Sequence, residues 1–439
     1  MAQITWAHRP RGRQLQRAAR EAGHRVAQGT YRAARRTPMP RSLRTELRSR
    51  LTWQSGLVTV PLAQILMGRQ NKVPAIEFGH RIGDPLWSSR RVIDGPHADL
   101  LRRERHGPLT DVEILGTSYA DLARSCIQLA GQFFTATDSA GIVRVARDFI
   151  ARSSGSLLDA DVAPIGGHHT PPGRPIEVAP VRDSSCYQVI DGHHRVAAAA
   201  VAGQTEIPVR LNRWAVDTGL QELLRSMSWI GGDPMLYQPL EAPEVADWPV
   251  VRGCEDRLAL MLDFLADRGL DAAGSSYLDV ASCYGWFVAR MGEQGFAATG
   301  LERDPLAPLL GEVALGVPAD RITTGEAIDF LRLPRASSDV VSCFSLLHHF
   351  VLGRGSTDGA GLLKALDGAT RKVLFLDTGQ AHEEWFRTSL PEWEAEHIRR
   401  FLREHTTFDR IVDLGPDQDD KAPYSGNYGR HLFACVREP

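Results

Sequence analysis

The hydrophobic pattern is most regular in the last two fifths of the chain, where short apolar runs alternate with segments of helical period. An amphipathic helix opens this region, with apolar residues at i, i+3, i+4 and i+7 spacing: Leu258, Met261, Leu262 and Leu265. The pattern then predicts strands at 277–281, 298–302, 339–344 and 372–377. It predicts helices at 286–293 and 360–369. Strands that alternate with helices indicate a doubly wound parallel sheet, whose ligands bind at the carboxyl ends of the strands.

The middle of the chain, residues 56–213, mixes short strands with helices and predicts an α+β domain. The segment 58–65 is predicted to be a strand that leads into a turn, further strands are predicted at 176–181, 186–190 and 207–211, and an alanine-rich helix begins near His194. A Gly- and Pro-rich loop covers 166–175. Residues 214–253, rich in Pro, Gly and Trp, are interpreted as a linker to the alternating region at 254–439. The predicted fold class is therefore α/β in the C-terminal half and α+β in the N-terminal half.

The first 55 residues form a basic arm. Residues 1–50 contain thirteen Arg, no Lys and two Glu, a net charge of +11, so the other 389 residues sum to −13. A segment of this charge is expected to make peripheral contact with anionic surfaces such as phosphates, lipid headgroups or acidic glycans. The alternative is a solvated, partly helical arm that packs on the acidic body.

Composition excludes several classes of protein. With 439 residues, 43% of them hydrophobic and 24% charged, the chain is globular and long enough for two or three domains. No run approaches ~18 consecutive apolar residues, and the N-terminus lacks the apolar core of a secretory signal. Six cysteines without C-x-x-C spacing argue against a disulfide scaffold or a cysteine zinc site. The expected compartment is the cytoplasm.

A strand, a turn and a helix at 277–287, with the sequence YLDVASCYGWF, form the first candidate binding site. The strand carries an acid, Asp279, and ends in small residues that let a ligand approach the backbone closely. Gly285 precedes the helix, whose first N–H groups are unpaired and can bind a carboxylate. The next strand ends in a second acid, Glu302, 23 residues after Asp279, where a carboxylate can hold the two hydroxyls of a ribose.

This combination resembles the class I S-adenosylmethionine (SAM) methyltransferases, whose first strand carries an acid-x-Gly-x-Gly-x-Gly pattern and whose second strand ends in the ribose-binding acid. The segments 325–327 (GEA), 339–343 (DVVSC) and 345–350 (SLLHHF) resemble the family's adenine contact, fourth strand and histidine segment beside the methyl group. The similarity covers about 258–437. It implies a Rossmann-like methyltransferase sheet and SAM as cofactor, bound by Asp279, Ala281, Ser282, Gly285, Glu302, Glu326 and Ser345.

The chain departs from this family pattern at two of its three glycines. Ala281 and Cys283 occupy the first two positions, and only Gly285 remains. A degenerate, non-catalytic domain is therefore one alternative. A dinucleotide-binding dehydrogenase is another, although the turn lacks the G-x-G-x-x-G pattern.

Methyl transfer to a hydroxyl group needs a base as well as accurate positioning. Candidates follow the fourth strand (His348, His349) and the fifth strand (His382, Glu383, Glu384), and the preferred catalytic set is His348, His349, His382 and Glu384. In the alternative interpretation, one of the paired histidines is a packing residue. The segment 424–435 is interpreted as a closing hairpin in which Tyr428 and Arg430 are structural.

The second candidate site is the turn at 191–195, with the sequence DGHHR, between a strand and the alanine-rich helix. Gly192 permits the sharp bend, and the helix start with the two histidines and the arginine offers donors and positive charge to an anion. The turn resembles that of the ParB/sulfiredoxin fold, whose members bind CTP, ATP or ADP phosphates there. The resemblance extends loosely to 58–65. It implies nucleotide or phosphate binding by Asp191, Gly192, His193, His194 and Arg195.

Parts of the N-terminal half do not match that fold. Residues 68–165 have no counterpart, and Glu77 matches the catalytic glutamate of the family's kinases by position only. Histidine stands where sulfiredoxins have cysteine, which argues against sulfinic-acid repair. In the alternative interpretation, His193 and His194 cap the helix and bond to the backbone. No metal site is predicted, because adjacent histidines project in different directions and the other histidine pairs lack ligand spacing.

Three functions follow from these observations. The preferred one is SAM-dependent O-methylation of a saccharide or small metabolite, with an accessory nucleotide- or phosphate-binding domain. The second is a bifunctional kinase–methyltransferase that acts on a glycan or metabolite. The third is a ParB-like DNA-binding or regulatory protein. Nucleic acid is disfavoured as a partner, because no helix-turn-helix pattern follows residue 213 and the body outside the arm is acidic.

Overall fold

The computed structural model describes residues 51–154, 175–333 and 337–438. The basic arm at 1–50 and most of the Gly- and Pro-rich loop, 166–174, lie outside the described residues. The chain divides between Glu222 and Leu223 into two compact units. This boundary falls inside the segment 214–253 that the sequence analysis interprets as a linker.

The first unit contains a mixed five-stranded sheet with the order β1-β5-β3-β4-β2. Its strands are β1 (Val58–Pro61), β2 (Ile65–Leu66), β3 (Ile176–Pro180), β4 (Tyr187–Asp191) and β5 (Glu206–Leu211). Strand β3 lies between β4, to which it is antiparallel, and β5, to which it is parallel. The strands predicted at 176–181, 186–190 and 207–211 are confirmed within one residue at each end.

The segment 58–65 is predicted to be a strand that leads into a turn, and the structure confirms the strand and the turn, while β2 is a second strand that the sequence pattern does not predict. The two strands lie at opposite edges of the sheet, where β1 pairs with β5 and β2 pairs with β4. Pro61 ends β1, and a turn of 3-10 helix over Leu62–Gln64 leads into β2. Proline has no N–H to donate to a ladder, so it favours the end of a strand at a sheet edge.

Helices cover the sheet of the first unit and account for most of the segment 68–165. They are α1 (Ala75–Ile82), α2 (Pro96–His106), α3 (Asp111–Leu115), α4 (Ser118–Ala130), α5 (Ser139–Ser154) and α6 (His193–Val201), followed by α7 (Gly219–Ser226) across the unit boundary. Thr110 and Glu113 form a capping box at the start of α3, and Thr117 caps α4. Apolar residues of α2, α4, α5 and α6 share one buried core with the sheet.

The second unit contains a seven-stranded sheet with the order β11-β12-β10-β9-β6-β7-β8. Its strands are β6 (Ser276–Val280), β7 (Ala297–Glu302), β8 (Ile322–Thr324), β9 (Ser338–Cys343), β10 (Thr370–Leu376), β11 (Arg410–Pro416) and β12 (His431–Val436). Strands β6 to β10 are parallel, and β12 and β11 complete the sheet in antiparallel pairing. The predicted doubly wound arrangement is confirmed, and the strand order reverses between β6 and β9, where such sheets bind ligands.

Both faces of this sheet are apolar and covered by helices. Leu278, Val341 and Leu374 point to one face, and Tyr277, Val340 and Phe375, one residue away in each strand, point to the other. The helices are α8 (Glu255–Asp267), α9 (Trp286–Glu293), α10 (Ala307–Leu315), α11 (Ala327–Leu331), α12 (Leu347–Val351), α13 (Gly359–Ala369) and α14 (Ala395–His405). Because both faces are buried, the central strands are near-continuous apolar runs, which is why the sequence pattern identifies them.

Two other interpretations differ from the structure. A closing hairpin exists, but its strands are β11 and β12, so most of 424–435 belongs to the connection between them. The second part of 214–253 is packed within the second unit, since Val245, Trp248 and Val251 are all buried. None of the helices in the described ranges combines the length and apolarity needed to cross a membrane.

Candidate functional site

The turn after β6 keeps a glycine-like backbone although two of its residues have side chains. The φ angles are 65° at Ala281, 55° at Cys283 and 86° at Gly285. A left-handed conformation costs a residue with a Cβ about 1–2 kcal/mol, and such strain concentrates at functional sites. The three positions that the family pattern fills with glycine therefore share one backbone conformation here, which brings the turn to the carboxyl end of β6.

Asp279 lies on β6 immediately before this turn and is almost completely buried. Its Oδ1 accepts a hydrogen bond of 2.7 Å from Ser342, and its Oδ2 has no partner. Burial is the main cause that raises the pKa of Asp279 to about 7; the hydrogen bond from Ser342 opposes it, and the neighbouring Glu302 and Asp377 add to it. The Ser282 hydroxyl is also buried without a partner. Two polar groups at this edge are therefore exceptions, since buried polar groups are normally hydrogen-bonded.

Glu302 ends β7 and binds the backbone of the same turn. Its Oε2 accepts a hydrogen bond of 2.9 Å from the Cys283 N–H, and its Oε1 accepts from the N–H groups of Arg303 and Asp304 at 2.7 and 3.1 Å. Burial nevertheless raises the pKa of Glu302. The carboxylate thus fixes the turn, and Oε2, which accepts from one N–H group, retains acceptor capacity for a hydroxyl group.

The other residues predicted for the donor site lie at the same edge of the sheet. Glu326 is exposed just after β8, and the preceding residue, Gly325, donates its N–H to the Glu302 carbonyl at 2.9 Å. Ser345 follows β9 with φ of 55°. Its N–H donates to Asp377 Oδ1 at 2.7 Å, and its hydroxyl accepts from Arg430 at 2.6 Å.

The paired histidines after β9 differ in their surroundings. His348 is buried, and its Nδ1 accepts the Gly379 N–H at 3.0 Å, while its ring lies 4.5 Å from that of Phe386. Burial lowers the pKa of His348 well below its usual value, and it lowers the pKa of His349 to about 4. Both imidazoles are therefore neutral and weakly basic. Of these two rings, His348 has the contacts of a packing residue.

The candidate bases after β10 lie in different environments. His382 is exposed, and its Nε2 is 2.8 Å from the Tyr428 carbonyl oxygen. A carbonyl oxygen can only accept, so Nε2 carries the proton and the Nδ1 lone pair of the neutral ring is available. Glu384 is exposed, whereas Glu383 between them is completely buried. His382 therefore has a free basic nitrogen at the surface, whereas Glu383 belongs to the interior of the protein.

Glu383 belongs to a buried network of three arginines and three carboxylates, which the sequence analysis did not anticipate. Glu383 accepts from Arg430 at 2.7 and 2.8 Å and from Arg252 at 3.1 Å. The remaining members are Arg257, Asp377 and Asp417, with Arg257 bonded to both carboxylates. All six side chains are at most 4% exposed. The charges balance, and the network links the start of α8, the end of β10 and the β11–β12 connection.

In the first unit, the turn at 191–195 has two buried histidines flanked by half-buried residues. Gly192 has φ of 112°, and His193 accepts the Gly68 N–H at 3.0 Å through Nε2. His194 Nε2 lies 2.8 Å from the Tyr119 hydroxyl, and Arg195 lies 3.3 Å from Asp191. Burial lowers the pKa values of both histidines to about 3. The expectation that these imidazoles supply positive charge is therefore wrong at neutral pH.

A third imidazole completes this cluster. His97 of α2 is 1% exposed, stacks on His193 with ring centroids 5.5 Å apart and contacts His194 edge-on at 4.7 Å. Burial lowers the pKa of His97 well below its usual value, and the other two rings lower it further. Within the described ranges, no three His, Cys, Asp or Glu side chains are placed to hold a metal ion. Glu77, the positional kinase candidate, is exposed on α1 and pairs with Arg81.

The three buried imidazoles predict a loss of stability in acid. The unfolded chain takes up these protons near the ordinary value of 6.5, while folded His193 and His194 resist protonation down to about 3. The unfolded state binds more protons in that window, so stability falls as the pH falls through it. From pH 7.5 to 5.5 we expect a loss of about 1 kcal/mol per imidazole.

Hydrogen exchange of the α2 and α6 amides at the two pH values, corrected for intrinsic rates, measures this loss. The H97L variant should reduce the difference in stability between pH 7.5 and pH 5.5 by about one third. The charged neighbours of the cluster, Arg69 and Arg195, remain in this variant, so they cannot explain the change. An unchanged difference would contradict the assignment of acid sensitivity to these rings.

Comparison with known proteins finds similarity in solved structures. No family model matches the chain, and no curated protein matches it. The 2.2 Å crystal structure of WbdD is 19% identical with a TM-score of 0.38, over 49% of this chain and 46% of that one. WbdD is described as a bifunctional kinase-methyltransferase. Magnesium protoporphyrin IX methyltransferase (ChlM) from Synechocystis PCC 6803, with bound SAM, is 14% identical with a TM-score of 0.31, over 42% and 78% of the two chains.

These similarities are partial. The chain spans less than half the length of WbdD, and the TM-scores are below 0.5. Methyltransferases are thus among the solved structures that the chain resembles.

Proposed function

We propose that the second unit is a SAM-dependent methyltransferase that acts on the oxygen of a saccharide or small metabolite. The observation that carries the proposal is the edge formed by β6 and β7. There a left-handed turn, the buried Asp279, the half-buried Glu302 and an unpartnered serine hydroxyl converge where the strand order of a doubly wound sheet reverses. At this edge a ligand can approach the backbone closely, and acceptors are present for its ammonium and hydroxyl groups.

The residues present fit a SAM molecule. The unpaired Oδ2 of Asp279 can accept from the donor's ammonium group, and Glu302 can accept from the ribose hydroxyls. Glu326 lies beside Glu302, where the adenine would be contacted. Ala281, Ser282 and Gly285 form the turn against which the amino-acid part would lie, and Ser345 closes the site from β9. When bound, SAM supplies an electrophilic methyl group on a sulfonium.

His382 is the base that the geometry favours for the acceptor. His382 Nδ1 would take up the proton of the acceptor hydroxyl as that oxygen is methylated, and SAM would supply the methyl group and leave as S-adenosylhomocysteine. The Tyr428 carbonyl fixes the tautomer that leaves Nδ1 free. Glu384 is exposed next to this base, and His349 is the alternative after β9. His348 has its Nδ1 occupied by the Gly379 N–H, which makes it a weaker candidate.

Replacing Glu302 by Ala tests the donor site. The variant loses the carboxylate proposed to accept from the ribose, and we expect binding of S-adenosylhomocysteine to weaken by about 1–3 kcal/mol, the range for a lost charged hydrogen-bond partner. Isothermal titration calorimetry measures the change. Because Glu302 also holds the turn at Cys283, E302Q serves as the conservative variant, which keeps the shape and one acceptor oxygen.

The matched control is E293A, at the exposed end of α9, where the carboxylate pairs only with Arg290 on the surface. This control should bind S-adenosylhomocysteine as the wild type does. Equal affinities of E302A and wild type would contradict the assignment of Glu302.

For the first unit, the structure favours no separate activity. Nucleotide binding to ATP, ADP or CTP at 191–195 rests on the start of α6 with Arg195, since the neighbouring histidines are buried and neutral. The bifunctional kinase and ParB-like alternatives need that same site. We therefore propose an accessory role for this unit, and titration of the full chain with ATP, ADP and CTP tests it, because saturable binding lost in R195A would restore the alternatives.

A further inference from the structure

A cleft of about 520 Å³ lies at the edge of the second sheet beyond the end of β10. Its polar lining residues are Gln380, His382, Arg387, Glu394, Glu396 and His431, with Ala, Pro and Gly residues between them. His431 begins β12, which runs antiparallel to β10, so it lies at the same edge as residues 380–382. This volume is in the range of pockets that bind small molecules.

The wall of this cleft contains a buried donor without a partner. Gln380 is 2% exposed, and its side-chain Nε2 has no hydrogen-bond partner. An unpaired amide N–H in the interior costs free energy, so a ligand oxygen at this position would remove a penalty that the protein otherwise bears. On the same wall, His382 has Nδ1 free to accept from a hydroxyl group, because its Nε2 donates to Tyr428.

The cleft is connected to the proposed donor site by three consecutive hydrogen bonds. The Gln380 N–H donates to Glu383 at 2.7 Å, Arg430 donates to the same carboxylate at 2.7 Å, and Arg430 donates to the Ser345 hydroxyl at 2.6 Å. The side chains of Gln380, Glu383 and Arg430 are all buried. Hydrogen bonds through buried residues therefore link the wall of the cleft to Ser345.

The charge of the lining indicates the chemical class of the ligand. Arg387 and Glu394 have opposite charges, and Glu396 is neutralised by Arg399 outside the cleft. His431 pairs with Asp413 at 2.8 Å. Side chains of both signs line the wall beside uncharged donors and acceptors, so the wall suits a molecule that carries several hydroxyl groups better than one with a large charge of either sign. No phenyl or indole ring lines the cleft, which disfavours a flat aromatic ligand.

We propose that this cleft binds the methyl acceptor and that the acceptor is a neutral saccharide, oriented by the Gln380 amide and the His382 imidazole. The inference rests on the proposed function, because the cleft is assigned to the acceptor of that reaction. Saturation-transfer NMR with methyl α-D-glucoside, methyl α-D-mannoside and methyl α-L-rhamnoside, each in the presence of S-adenosylhomocysteine, tests it. Glucuronate and glucosamine are the charged comparison probes.

The wild type should bind at least one neutral glycoside more tightly than either charged probe. In Q380E the donor becomes an acceptor, and the affinity should fall about tenfold or more. A381L reduces the volume of the cleft without changing its charge, and it should lower the affinity similarly. This second variant keeps the test decisive if Q380E also perturbs Glu383. The matched control is Q294E, an exposed glutamine after α9, which should bind as the wild type does.

Calorimetry with S-adenosylhomocysteine separates failure of this inference from failure of the proposed function. If the wild type binds S-adenosylhomocysteine but no neutral glycoside, or if Q380E and A381L bind glycosides unchanged, the saccharide cleft is overturned and the methyltransferase proposal stands. If the wild type does not bind S-adenosylhomocysteine, the proposed function is overturned.

Discussion

Replacing Glu383 by Gln is expected to destabilise the second unit by about 3–5 kcal/mol, the cost of removing one partner from a buried ion pair. Glu383 lies between Arg430 and Arg252 and is completely buried, so solvent cannot compensate for the lost charge. Burial lowers the pKa of Arg252, and the like charge of Arg430 lowers it further. Without this carboxylate, the two guanidinium groups lose a negative charge that offsets their mutual repulsion.

Denaturant unfolding at neutral pH, followed by hydrogen exchange of the β10 and β12 amides, measures this loss. The next residue provides the control, because Glu384 has the same chemistry and is exposed. E384Q should change stability by no more than about 0.5 kcal/mol, as exposed substitutions usually do. Similar effects of E383Q and E384Q would contradict the role of the buried network.

The contrast between these neighbours shows where sequence reasoning succeeds and where it stops. The strands of the second sheet are predictable because both of its faces are buried, so each strand is an apolar run between turns. The turn at 281–285 is also predictable as a turn, because small residues and a following helix mark it even where Ala281 and Cys283 stand at the glycine positions of the family pattern. Local sequence carries these signals.

Whether a single charged residue is buried depends on residues that are distant from it in the sequence. The sequence places His382, Glu383 and Glu384 in one polar cluster after β10, and the preferred candidates are the first and the last. The middle residue is interior because Arg252 and Arg430, 131 and 47 residues away, meet there. Likewise, the charge predicted for His193 and His194 is absent, because α2 and α4 cover the turn with His97 and Tyr119. Such partners are separated by most of a domain in sequence, so no pattern reveals them.

Replacing His382 by Ala is expected to lower turnover about 10²-fold or more, the usual contribution of a general base, and to leave S-adenosylhomocysteine affinity within twofold of the wild type. The reason is geometric: the Tyr428 carbonyl accepts from Nε2, so Nδ1 of the neutral ring is the free base on the wall of the cleft. Methyl transfer from SAM to the glycosides that bind in the cleft measures the effect.

Two controls make the outcome specific for His382. E384A removes the exposed neighbour and should retain most of the activity, because Glu384 belongs neither to the cleft lining nor to the buried network. H382N keeps a polar side chain but has no nitrogen that can take a proton at neutral pH, so it should be as slow as H382A. If H382N restores turnover, His382 positions the acceptor by hydrogen bonding, and if both variants are fully active, the base is His349 or positioning alone carries the rate.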